Sequence, residues 1–190
     1  MDKELKKYLN IIIEALNNMD ERYYNLKTTY EPAGIVRERV FCYELYHQIR
    51  CVQTKQRETK LSLNGEIDKR GHPEFDEHDQ KNPDFVFHIP GKTSGNTIVM
   101  EVKGKIKGEY TEKCIKDFKT LEVFVRKYHY KVGIFLLYNY SSTEFIETLQ
   151  EKLKDHFINL SDNKYQNIII ICKKDVESDP EVFTLEKIIQ

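Results

Sequence analysis

An α/β sandwich, with one sheet covered by helices on both faces, follows from three features of the sequence. Residues 132–138 and 168–172 are apolar runs of strand length, and strands of that kind belong inside a sheet buried on both sides. Segments with apolar residues at helical spacing precede and separate the strand-like runs, and such alternation builds layers. No internal repeat and no extended Gly/Ser- or Pro-rich linker divides the 190 residues, so they read as a single domain. Within it, residues 1–30 form an N-terminal helical extension, 35–140 the core, and 141–190 a C-terminal helix and strand.

The first helix spans residues 5 to about 25, where Leu5, Leu9, Ile12, Leu16, Met19 and Tyr23 recur every three or four positions. Pro32 and Gly34 break the pattern, and a second helix runs from 35 to about 50. Residues 59–69 alternate loosely around Asn64-Gly65, as a strand or bent strand pair would, and 71–82 form a polar loop. Two short strands, 84–89 and 97–103, flank a turn-rich break and predict an antiparallel pair. A third helix covers 114–128, a strand 132–138, a helix capped by Ser141 or Ser142 covers 142–157, and a last apolar strand 168–172. The first helix and residues 176–190 are additions that either cap the sheet or form a dimer interface.

Composition narrows the function. With 30 basic and 31 acidic side chains the net charge is −1, so any grip on a polyanion must be local. The apolar runs are far too short to cross a bilayer, and no membrane association is expected. The first residues lack an apolar signal region, which predicts a cytoplasmic protein. Cys42, Cys51, Cys114 and Cys172 form no C-x-x-C pair and read as reduced thiols, mostly buried.

The chemistry concentrates in Asn82-Pro83-Asp84-Phe85-Val86-Phe87 and Ile98-Val99-Met100-Glu101-Val102-Lys103-Gly104. Strand alternation puts Thr97, Val99, Glu101 and Lys103 on one face and Ile98, Met100 and Val102 on the other. If the two strands pair, Asp84 lies close to Glu101, which gives two carboxylates and an ammonium in one site. Hard oxygen ligands suit Mg²⁺ or Mn²⁺, and an ion there would neutralise charge building on a phosphate.

Pro83-Asp84 and Glu101-Val102-Lys103, with sixteen residues between Asp84 and Glu101, resemble the motif of the PD-(D/E)xK nuclease superfamily at every position. The order of elements in residues 35–140 is similar to that superfamily's core of helix, three strands, helix and strand. The resemblance implies a restriction-endonuclease-like three-layer sandwich, a central mixed sheet flanked by helices. It also implies Mg²⁺-dependent hydrolysis of phosphodiester bonds, in DNA above all, in restriction, repair or defence against mobile elements. By the same resemblance Asp84 and Glu101 bind the metal, the Val102 carbonyl completes its shell, and Lys103 is the catalytic lysine. Glu44 resembles the glutamate that many members carry on the first core helix. A symmetric homodimer would suit double-strand cutting.

Other residues admit two readings. Glu44 interrupts a partly apolar helix face, yet a surface glutamate paired with Arg37 or Gln48 would do the same. His47 could assist at a phosphate or tuck against the sheet. Residues 63–69 and 88–91 resemble segments of small bacterial members of the superfamily; Glu66 and His88 either approach the metal or are a turn acid and a strand histidine. The cluster from His72 to His78 invites a zinc reading, but it lies in a loop without a supporting framework. Lys105, Lys107, Lys113, Lys116 and Lys119 form a basic stretch from the active strand into the third helix, with Lys116 and Lys119 on one face. They contact nucleic-acid phosphates or simply solvate a helix that also carries Glu112 and Asp117. The rival to the nuclease is a non-catalytic nucleic-acid-binding or protein-interaction module on the same scaffold. Walker, G-x-G-x-x-G and G-x-S-x-G motifs are absent.

Overall fold

The computed structural model describes residues 2–66, 82–104, 110–148 and 167–185. They form an α/β structure whose open sheet has six strands in sequence order: β1 (Ser62–Gly65), β2 (Phe85–His88), β3 (Ile98–Lys103), β4 (Val132–Tyr138), β5 (Ile168–Lys173) and β6 (Glu181–Thr184). The sheet is mixed. β1, β2 and β3 pair antiparallel, β3, β4 and β5 parallel, and β6 returns antiparallel to β5. Parallel neighbours require a crossover, and α3 (Tyr110–Arg126) makes the one from β3 to β4.

Helices α1 (Lys3–Asn17) and α2 (Glu38–Lys55) cover one face, packing Leu16, Phe41 and Leu45 on Phe87, Met100, Val102 and Leu136. The other face packs Val99, Phe135, Leu137 and Ile170 under Phe118, Leu121 and Phe124 of α3 and Phe145 of α4 (Ser142–Thr148). Side chains of β3 and β4 thus feed the two cores alternately, as strand parity demands. All seven residues of β4 are buried, which explains its unbroken apolar sequence. Among the described residues no helix is long and apolar enough to cross a membrane. The four cysteines are free thiols; Cys114 and Cys172 are buried, Cys42 is half-buried and Cys51 exposed.

Several boundaries differ from those the periodicity predicts. Asp2 caps α1 by accepting the Leu5 amide at 2.7 Å, but the helix ends at Asn17 rather than near residue 25. Asp20 starts a separate turn over Glu21–Tyr23, and Met19 and Tyr24 reach the core from outside the helix. A buried residue at helical spacing does not require a helix. The second helix starts at Glu38, not at 35, because Ile35 is bridged to Leu26 in extended conformation. Ser141 accepts the Glu144 amide while Glu144 accepts that of Ser141, a reciprocal cap at the predicted place. β6 was not expected as a strand. α1 caps the sheet, with Ile11, Ile12, Ala15 and Leu16 fully buried. The 71–82 loop up to residue 81, the His72–His78 cluster, and residues 149–157 of the last predicted helix lie outside the described residues.

Candidate active site

The site forms where β2 begins and β3 ends. The last ladder pair between these strands is Phe85↔Met100, so one step further the antiparallel register sets Asp84 opposite Glu101. Asp84 Oδ2 accepts the Val102 amide at 2.7 Å. Glu101 is 7% exposed, and the Asp84 carboxyl is its charged neighbour. Burial pushes the Asp84 carboxyl up to about 6, against the pull of the Val102 amide and the Lys103 charge. Burial, then the neighbouring Asp84, drives Glu101 well above the ordinary carboxylate range. Two desolvated acids side by side call for a proton or a cation.

Lys103 does not fill that need by itself. Its Nζ lies 2.8 Å from Asp117 Oδ2 and donates to Glu38 Oε2 at 3.0 Å. Burial opposes its charge, but Asp117 and Glu38 more than offset this and hold the ammonium above its ordinary pKa. Glu38 sits in the first turn of α2 and Asp117 in the middle of α3, so a single ammonium ties both helical layers to the end of β3.

The structure brings Asp84, Glu101 and Lys103 together and leaves Glu44 out. Glu44 accepts from Gln48 Nε2 at 2.7 Å, one turn along the same helix. The helix carboxylate at the cluster is Glu38. Six residues advance a helix about 9 Å and turn it about 120° off, so the two glutamates cannot serve one place. Glu38 was missed because a glutamate between two arginines in a first turn reads as a partner of the helix dipole, and Asp117 because it reads as one of the acids solvating α3.

Glu66 pairs with Arg39 at 3.4 Å while its amide donates to the Asp84 carbonyl at 3.1 Å, which sets it on the rim next to Asp84, and His88 Nε2 meets Asn64 Oδ1 at 2.9 Å. His47 is exposed and contacts Cys51, contrary to a place against the sheet. The Val102 side chain is buried in the core under α1 and α2. Lys113, Lys116 and Lys119 are exposed on α3, and the Lys116 charge acts on Asp117. Lys105 and Lys107 lie outside the described residues.

A cleft of about 560 Å³ opens beside Asp84, between α2 and the β1–β2 hairpin. Glu38, Arg39, Tyr43, Tyr46, Glu66 and Phe85 stand on its walls. Among the described residues, no group of three or more His, Cys, Asp or Glu side chains is set out to hold a metal ion. The acids that meet here are two, Asp84 and Glu101. Such a pair fits Mg²⁺, which is commonly held by one or two carboxylates, keeps several waters and takes further oxygens from a phosphate. No protein-family model, curated protein or solved structure matches the chain.

Proposed function

We propose that the chain is a metal-dependent nuclease with a restriction-endonuclease-like three-layer fold. The observation that carries this reading is the pair of desolvated carboxylates, Asp84 and Glu101, beside a lysine braced from both helical layers. Asp84 and Glu101 would hold Mg²⁺ or Mn²⁺, with the Val102 carbonyl as a further oxygen donor. When bound, the ion supplies positive charge at the scissile phosphate. Lys103 is held ready as a donor to a phosphate oxygen or to the attacking water, and its fixed position saves reorganisation when charge develops. Glu38 and Asp117 position it. DNA as substrate, and a setting in restriction, repair or defence against mobile elements, rest on the sequence resemblance. The same double ion pair on Lys103 also suits a second reading, a scaffold in which the lysine is a structural strut and the chain binds without cutting.

Cleavage of linear and circular duplex DNA, single-stranded DNA and RNA, with Mg²⁺, Mn²⁺ or chelator, separates the two. Metal-dependent cleavage should fall at least about 100-fold in Asp84→Ala and in Lys103→Ala. Glu38→Gln should impair it and Glu44→Gln leave it unchanged. No cleavage of any substrate, with no divalent-ion binding by the folded chain, would establish the scaffold reading instead.

A further inference from the structure

We infer that the cleft beside Asp84 holds one unpaired nucleotide of the substrate, stacked on Tyr43 and Tyr46, so that the site acts on single-stranded segments rather than continuous duplex. This rests on the nuclease reading: Asp84 and Glu38 line the cleft while their neighbours Glu101 and Lys103 stand outside its lining, so the scissile phosphate would lie at the Asp84 end and the nucleotide beside it inside. Its volume, about 560 Å³, falls in the range of small-ligand pockets.

The walls suit a base. Tyr46 and Phe85 stack at 6.4 Å between ring centroids and an interplanar angle of 24°, and the Tyr46 hydroxyl donates to the Leu63 carbonyl at 3.4 Å, which fixes the ring. Tyr43, three residues earlier on α2, keeps 65% of its surface exposed at the same cleft. A large ring left in water beside a fixed aromatic wall is what a splayed base can cover, and stacking of this kind tolerates any base. Bases inside a duplex have no free face to offer.

The charges point the same way. Glu38 is paired with Lys103 and Glu66 with Arg39, and Arg39 is the single cationic residue on the wall among the described residues. One divalent ion would balance Asp84 and Glu101, and Asp117, the second acid on Lys103, leaves no positive surplus. The cleft then has no surplus cation with which to grip two phosphate backbones, so its affinity has to come from the base.

Fluorescence anisotropy of the full chain with labelled oligothymidylate, oligouridylate and a mixed-sequence duplex of equal length tests this, in Ca²⁺ and in chelator. Single strands should bind several-fold tighter than duplex. Tyr43→Ala, at an exposed position, should weaken single-strand binding by about 5- to 100-fold, and Tyr43→Phe should restore it. The two single-stranded arms distinguish DNA from RNA. Equal or tighter duplex binding, no binding of any probe, or single-strand binding unchanged in Tyr43→Ala overturns the inference. Tyr43-dependent binding in a chain that cleaves nothing would remove the nuclease reading and leave the cleft, whereas cleavage with binding unchanged in Tyr43→Ala would do the reverse.

Discussion

Glu58 shows how one side chain ties distant parts of the chain together. It accepts from Lys7, from the Tyr8 hydroxyl at 2.7 Å and from the Lys60 amide at 2.9 Å, while the Tyr8 oxygen accepts the Leu61 amide at 2.8 Å. This links α1 to the approach to β1. The Lys7 ammonium, then the Tyr8 hydroxyl, outweigh burial and hold the Glu58 carboxyl down at about 2. A folded pKa below the unfolded one stabilises above the unfolded value, and the contribution is lost as pH falls from about 5 towards 2. Glu58→Gln should therefore cost about 1–2 kcal/mol near neutral pH, discounted because Lys7 is half exposed. Urea unfolding of both proteins between neutral pH and pH 3 should show the gap closing; a gap that widens on acidification would refute the assignment. None of this was legible in the sequence, where Glu58 stands in an unremarkable polar stretch after the second helix.

The approach of α2 to the sheet depends on Gly104. Tyr138 of β4 stacks on Phe41 of α2 at 3.8 Å with the rings nearly parallel, 4° apart. A Cβ on Gly104 would stand 2.3 Å from that Tyr138 ring and 2.6 Å from Val36 Cγ1. Neither neighbour is the loose end of a flexible chain. Gly104→Ala should destabilise by about 1–3 kcal/mol in thermal unfolding, and it should lower any activity too, because the same stack seats the first turn of α2, with Glu38, over Lys103. An alanine variant as stable as the wild type would show that the stack has room to move. At the end of β5, Lys173 is 1% exposed, with Nζ donating to Asn17 Oδ1 at 3.2 Å, to the Val176 carbonyl at 3.3 Å and to the Ser178 carbonyl. A lysine closing the apolar run of β5 is explained by these acceptors, and burial lowers its pKa.

At the scale of the molecule, the sheet brings two buried carboxylates together at the junction of its layers, only partly offset by the Val102 amide and Lys103, and that arrangement has a stability cost. Asp84→Asn should melt above the metal-free wild type at neutral pH. Mg²⁺ or Mn²⁺ at about 100 times its Kd should raise the wild-type melting temperature by roughly 5–10 °C and leave Asp84→Asn nearly unmoved. A wild type whose melting temperature ignores both ions would exclude a site on this pair. Much of the fold was legible beforehand. The apolar runs marked β4 and β5, and strand parity correctly assigned Val99 to one core and Ile98, Met100 and Val102 to the other. The antiparallel pairing of β2 with β3 was likewise predictable, and with it the meeting of Asp84 and Glu101. These are local properties, because a strand has a two-residue period and a short connection limits how its neighbour can pair. Only the tertiary structure decided that Glu38 and Asp117, rather than Glu44, complete the cluster, and that Tyr43 and Tyr46 flank it with a cleft. The physical reason is that a helix carries polar groups at every angle around its axis, and which of them meets the sheet is settled by packing between residues far apart in the chain, here Phe41 against Tyr138 with Gly104 beneath.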